Sequence, residues 1–266
     1  MIMNWTTGRP AVFDCHIHLP AASGPTLGYP NPTSTPAGLL ERLARSGVAG
    51  GIVCAGRNAF AKTQKEVVLG NRELARFLEK AGRQYTGGAI VNPSTGSRAI
   101  AELEWCHQQM GWVWMGELTA YLNGSNYESP AFCDLLMAAG EMGMVAQIHC
   151  DLDEMDRLAG QYPGITFVLP HFPPQSRVQR LIQILQAHPN LYFDICGSEC
   201  IRMGTLEAVV AAVGSGRVMY GSDLPGCCPD TTMARVLNAD LSTAAKADIL
   251  SRTCCGLLRA RGLEIA

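Results

Sequence analysis

No apolar run in the 266-residue sequence approaches the length needed to span a bilayer, and the first ten residues, MIMNWTTGRP, carry neither a basic segment nor the apolar stretch of an export signal. Both absences lead to the expectation of a soluble, cytoplasmic protein with no membrane partner. Basic clusters are missing as well. With 21 Lys and Arg against 23 Asp and Glu, a formal net charge of -2 and no run of Lys or Arg, the chain has no field that would gather phosphates, so nucleic acid is not an expected partner. Among 11 cysteines there is no C-x-x-C pair, and neighbours such as Cys227-Cys228 and Cys254-Cys255 rarely bridge comfortably. Free thiols used as small buried side chains in a reducing compartment account for them. Low-complexity tracts and strong linkers are also absent. The single Pro/Gly/Ser/Thr-rich passage, Pro20 to Pro36, reads as a long loop over one end of the fold.

What is present is a regular alternation. A hydrophobic share of 47% and a charged share of 17% suit one globular unit with a large core, and residues 1–266 are read as a single domain. Short β-branched runs serve as candidate strands: AVFDCHIH (Ala11 to His18), VAGGIVCA (Val48 to Ala55), YTGGAIV (Tyr85 to Val91), WVWMGEL (Trp112 to Leu118), MVAQIH (Met144 to His149), ITFVLPH (Ile165 to His171), LYFDIC (Leu191 to Cys196) and RVMYGSD (Arg217 to Asp223). Helical periodicity fills the spans between them, and Asp240 to Ala260 supplies closing helices. Eight strands, each followed by helical sequence, predict a (β/α)8 TIM barrel, and the nearly continuous apolar character of the strands suits a parallel sheet buried on both faces.

In such a barrel, function gathers at the carboxyl ends of the strands. Strand one ends in His16 and His18, strand four in Glu117, strand five in His149, strand six in His171 and strand eight in Asp223. Each of these alone is ordinary: a histidine can be a satisfied polar group, and Asp223 can cap a turn. Together they are not. An open sheet has no reason to bring these ends to one place, whereas a closed barrel points them into one cavity. His16 and His18, two residues apart in a strand, leave the same face. Asp14, one step earlier on that face, either orients a ligating histidine or satisfies buried donors.

The phrases "DCHIH", "MGEL", "HPNLYFDICG" and "RVMYGSDLP" resemble the amidohydrolase superfamily, in particular its amidohydrolase 2 branch, which contains relatives of aminocarboxymuconate-semialdehyde decarboxylase together with lactonases and hydratases. The resemblance covers nearly the whole chain. It implies that His16, His18 and Asp223 bind a divalent ion with His149 as a further ligand, and that His171 either transfers a proton in a one-ion site or binds a second ion. No lysine ends a strand here, and Glu117 stands where a bridging group would, which favours two ions.

Imidazole and carboxylate donors suit zinc and also tolerate manganese or iron. A bound ion lowers the pKa of its water to about 7 and polarises a substrate oxygen. Asp223 is the candidate general base, with His171 beside it in catalysis. Arg57, Asn92 and Tyr121 follow strands two, three and four and are candidates for substrate binding; Ser198, Glu199 and Arg202 follow strand seven. The expected activity is hydrolysis of a small-molecule ester, lactone or amide. The alternatives are non-oxidative decarboxylation or hydration of a small carboxylic acid, a metal-dependent nuclease, or a barrel that binds metal without catalysis. A homo-oligomer is compatible with all of these.

Overall fold

A computed structural model describes residues 11–21 and 34–265. The N-terminal decapeptide and most of the expected Pro20 to Pro36 loop, residues 22–33, lie outside the described residues. Eight strands pair in parallel in sequence order: β1 (Val12–Leu19), β2 (Val48–Ala55), β3 (Tyr85–Ala89), β4 (Trp114–Leu118), β5 (Val145–Ile148), β6 (Thr166–Leu169), β7 (Leu191–Asp194) and β8 (Val218–Met219). The ring closes between its last and first members. Cys15 N–H donates to Tyr220 O at 3.0 Å, His18 N–H to Leu224 O at 2.8 Å, and Asp223 N–H to His16 O at 2.9 Å. The protein is therefore the (β/α)8 barrel that the alternation predicts, and its closing seam sets Asp223 against His16.

Helices α1 (Pro36–Ser46), α2 (Gln64–Ala81), α3 (Ser97–Met110), the short α4 (Ala120–Asn123), α5 (Pro130–Glu141), α6 (Leu152–Gln161), α7 (Val178–Ala187) and α8 (Thr205–Val213) run between successive strands. After β8 come α9 (Pro229–Leu237), α10 (Thr243–Ala247) and α11 (Thr253–Arg259). Their boundaries follow local chemistry. The side chain of Thr63 accepts from Glu66 N–H while Glu66 reaches back to the Thr63 backbone, a capping box that starts α2. Helix α1 stops at Gly47, whose φ of 76° is costly for any residue with a Cβ. Helix α9 is absent from the sequence reading, because Pro229 and the Thr231-Thr232 pair interrupt its apolar stripe. As it turns out, Pro229 occupies the first turn, where a missing N–H costs nothing.

Packing separates the two ends of the barrel. Phe13, Trp114 and Val145, near the amino ends of their strands, join Cys15 and Val168 and meet Cys254, Leu257 and Leu258 of α11 in one apolar cluster. That helix plugs the lower end. Polar side chains are left to collect at the carboxyl ends of the strands.

Candidate active site

Strand β1 delivers His16 and His18 from alternate positions, so both imidazoles leave one face; their ring centroids lie 4.9 Å apart and their Nε2 atoms 2.9 Å apart. Glu117 arrives from β4, with Oε2 3.4 Å from each of those two nitrogens. Its other oxygen, Oε1, turns the opposite way, 2.8 Å from His149 Nδ1 and 2.9 Å from His171 Nε2. The carboxylate thus presents one oxygen to each histidine pair. Gly116 makes the approach possible: at φ 119°, a Cβ there would fall 2.1 Å from Gln147 O on the neighbouring strand. Asp223 completes the group, with Oδ1 3.3 Å from His18 Nε2 and 3.8 Å from His16 Nε2.

All six residues expected at the strand ends are thereby brought together. Three of them do not lie in strands. β5 stops at Ile148, β6 at Leu169 and β8 at Met219, so His149, His171 and Asp223 stand on the loops beyond. His171 and Asp223 have left-handed backbones, φ 72° and 59°. Such conformations are uncommon for residues other than glycine and concentrate at functional sites.

His16, His18 and Glu117 are buried, while the side chains of His149, His171 and Asp223 are 30%, 23% and 19% exposed. The cluster therefore has a closed floor and an open face. Burial works against the charge on Glu117, yet the positive field of His16 and hydrogen bonds from His149, His16 and His171 hold its carboxyl well below the usual range. Burial likewise opposes charge on Asp223, and His18 and His16 outweigh it to keep this carboxyl low. His18, whose charging burial also disfavours, is raised overall by Asp223 and Glu117. The site draws positive charge to itself. Among the described residues no Lys or Arg pairs with Glu117, Asp194 or Asp223. Converging imidazole nitrogens and carboxylates without a resident cation are a donor set that fits a divalent ion.

Three contributors escaped the sequence reading. Asp194, at the end of β7, accepts from His16 Nδ1 at 2.7 Å and from the backbone of Cys196 at 2.8 Å. Gln147 accepts from Trp114 Nε1 at 2.9 Å and donates to Asp194 Oδ2 at 3.2 Å, extending a buried chain of hydrogen bonds beneath His16. Cys196 Sγ lies 3.2 Å from His16 Nδ1 and 3.1 Å from His171 Nδ1. Their only signal was the strand position of "LYFDIC" and "VAQIH", in which an acid or amide among apolar residues marks an inward-facing polar group. Asp14 takes the plainer of its two roles: Oδ1 accepts from the backbones of His16 and Ser222 at 3.0 and 2.9 Å.

The candidates for substrate binding are dispersed. Arg57 Nη1 is paired with both oxygens of Glu73 at 2.8 and 2.9 Å. Asn92 is buried, donating to Ala61 O and accepting from Ser94 N–H, both at 2.9 Å, so it fastens the loop after β3. Tyr121 is 65% exposed with its ring edge-on to His149 at 4.8 Å, and both line a cavity of about 510 Å3 with Tyr127, Asp151 and Glu154. Glu199 and Arg202 are exposed on the loop after β7. Among nearby thiols, Cys227 Sγ is 3.9 Å from Asp223 Oδ2 and Cys150 lines the His149 cavity, whereas Cys228 turns to Arg42 at 3.1 Å.

The family model described as amidohydrolase matches residues 13–254. This chain belongs to the amidohydrolase family. No curated protein matches the sequence. Solved structures share the amidohydrolase barrel. The 5-carboxyvanillate decarboxylase of Sphingomonas paucimobilis superposes with a TM-score of 0.75 at 13% identity, covering 94% of this chain and 99% of that one. A dihydroxybenzoic acid decarboxylase from a Polaromonas species, solved with bound manganese and an inhibitor, gives 0.73 at 15% identity over 94% and 97%. A Pseudomonas putida protein provisionally described as a 2-pyrone-4,6-dicarboxylic acid hydrolase gives 0.71 at 18% identity over 97% and 100%. At these identities the likeness concerns the fold. Among the described residues no helix of this amidohydrolase is long and apolar enough to cross a membrane.

Proposed function

We propose that this amidohydrolase is a metal-dependent hydrolase of a small-molecule ester, lactone or amide. The observation that carries the reading is the meeting of His16, His18, Glu117 and Asp223, with two imidazole nitrogens 2.9 Å apart facing carboxylate oxygens on both sides. These four would hold the ion, with zinc the first choice and manganese the alternative supported by the manganese-bound neighbour. A divalent ion held there supplies a Lewis acid that acidifies water and polarises a carbonyl oxygen.

The chain's own residues account for the remaining work. Asp194 fixes the proton of His16 on Nδ1 and leaves Nε2 as a lone-pair donor. Asp223, partly exposed while Glu117 is buried, takes the proton of the attacking water and returns it to the leaving group. His171, on the same open side, hydrogen-bonds the substrate oxygen. Tyr121 and Tyr127 form a wall for the substrate's organic part.

A second reading, non-oxidative decarboxylation, is favoured by the decarboxylases among the structural neighbours. In it a carboxylate leaves as carbon dioxide and His171 or Asp223 delivers a proton to the carbon left behind. One experiment decides between them. Zinc- and manganese-loaded protein is offered simple lactones and aryl esters in one series and hydroxybenzoic acids in another, with acid release and carbon dioxide release measured in both. Acid release from the first series that Asp223→Asn abolishes supports hydrolysis. Carbon dioxide release confined to the second series replaces it with decarboxylation, and turnover unaffected by chelation overturns both.

A further inference from the structure

The cavity of about 510 Å3 that Tyr121 and Tyr127 share with His149 also holds two acids, Asp151 and Glu154, and none of its lining residues is Lys or Arg. Asp151 spends one oxygen on the start of α6: Oδ1 accepts from the backbone N–H groups of Asp153 and Glu154 at 2.8 and 2.9 Å. Its other oxygen, Oδ2, accepts no hydrogen bond among the described residues. Glu154 has only a long ion pair, 3.8 Å from Arg157 Nη2, and the same guanidinium lies 3.9 Å from Glu128. Negative charge along this wall is therefore incompletely offset.

A second feature is independent of these charges. Ser125, just after α4, lines the same cavity, and its backbone N–H is held by Asn123 Oδ1 at 2.9 Å. Its hydroxyl oxygen is nevertheless buried with no hydrogen-bond partner among the described residues. Buried polar atoms are almost always paired in folded proteins, so a partner supplied by a bound molecule accounts for this one. The tyrosines complete the surroundings. The Tyr127 hydroxyl donates to Leu118 O at 2.7 Å and accepts from Ala120 N–H at 3.0 Å, which leaves its ring as the part available to a ligand. The exposed ring of Tyr121 stands 4.8 Å from that of His149, at the side of the cavity next to the proposed metal site.

We propose that this cavity is a subsite for an alkylammonium group, so that the substrate carries an amine on the part that extends past His149. An ammonium brings a full positive charge and three N–H donors, and it is recognised by carboxylates, hydroxyl oxygens and aromatic rings together. A carboxylate in the same place would face Asp151 and Glu154 with no cation among the lining residues. A neutral group would leave their charge as it is. The other cavity beside His149, about 360 Å3 and lined by His171 and Arg177, offers a guanidinium, but Asp153 already holds it at 3.3 Å. This inference rests on the proposed hydrolysis and narrows its substrates to amine-bearing esters, lactones or amides.

The test titrates the zinc-loaded, 15N-labelled full chain with benzylammonium and with benzyl alcohol, two probes of nearly one shape that differ in charge. Benzylammonium is expected to bind about tenfold more tightly, to move the amide signals of Ser125 and Glu154 most, and to lose its advantage as salt is raised. The double variant Asp151→Asn, Glu154→Gln should bind both probes alike; asparagine caps a helix as well as aspartate does, so α6 keeps its start, and circular dichroism verifies the fold. Equal binding of the two probes to the wild type, an unchanged preference in the double variant, or signals that move only elsewhere overturns the subsite. Turnover is the separate arm. Faster hydrolysis of 4-(aminomethyl)phenyl acetate than of 4-(hydroxymethyl)phenyl acetate, through a lower KM that the double variant raises, supports both the subsite and the hydrolase. Selective binding of benzylammonium with no ester or amide turned over leaves the subsite standing and counts against hydrolysis, whereas hydrolysis indifferent to the amine sinks the subsite alone.

Discussion

Replacing Asp194 by asparagine swaps one carboxylate oxygen for an NH2 group with almost no change of volume, and its effect on metal binding can be worked out from the hydrogen bonds in place. Asp194 Oδ2 receives His16 Nδ1–H at 2.7 Å and Gln147 Nε2–H at 3.2 Å, and Oδ1 receives the backbone N–H of Cys196 at 2.8 Å. An amide has one oxygen for these three donors. With its nitrogen toward His16, it confronts two donors; with its nitrogen toward Cys196, it confronts a backbone N–H. The first arrangement is relieved when His16 moves its proton to Nε2, which removes the lone pair proposed to bind the ion. The second leaves a buried N–H unpaired, at a cost of about 1–3 kcal/mol. Loss of such an orienting partner weakens metal binding by about 10- to 100-fold, or roughly 1.4–2.8 kcal/mol. Competition between stripped D194N protein and a chelating zinc indicator measures the affinity, and far-ultraviolet circular dichroism checks the fold. A folded D194N protein that binds zinc as tightly as the wild type refutes the assignment of His16 Nε2 as a ligand.

Further expectations concern turnover, packing and pH. Asp223→Asn should retain the melting temperature within a few degrees and lose about 100-fold or more in turnover, the scale of a removed general base, in whichever assay first yields activity. Gly87→Ala brings a methyl group to 2.1 Å from the buried Trp112 ring, an overpacking expected to cost about 1–3 kcal/mol in chemical denaturation. Leu39→Ala, which empties a fully buried position between α1 and the barrel, should cost about 2–5 kcal/mol by the same measurement. Burial pushes the Asp14 carboxyl up from 3.8 to about 7, with hydrogen bonds from Ser222 and His16 pulling the other way. Because the folded value lies above the unfolded one, this contribution is complete below pH 3.8 and is lost as pH rises through about 7. Three units correspond to at most about 4 kcal/mol, so denaturation midpoints should fall between about pH 5 and pH 8, and the fall should flatten in Asp14→Asn.

The barrel was legible because its strands are buried on both faces and read as apolar runs separated by amphipathic spans. β2 occurs at the expected boundaries, Val48–Ala55. The strand ends were overrun for the same reason. Nothing in "TFVLPH" or "VMYGSD" announces that the backbone turns left-handed at His171 and Asp223, since only glycine advertises that conformation. At the site, the residues with distinctive chemistry stood out at the strand tips, whereas Asp194, Gln147 and Cys196 act through contacts with residues as far as 180 positions away. Such pairings depend on register and closure. Arg57 shows the converse: its position after β2 suggested a grip on substrate, but Glu73, one helical face away on α2, already occupies it.

The central claim, that residues from both ends of the chain enclose a divalent ion, is tested most directly by anomalous diffraction from zinc-loaded crystals collected on either side of the zinc absorption edge. The account predicts one strong peak at about 2.0–2.2 Å from His16 Nε2, His18 Nε2 and oxygens of Glu117 and Asp223. A peak elsewhere, or none in crystals grown with excess zinc, contradicts it.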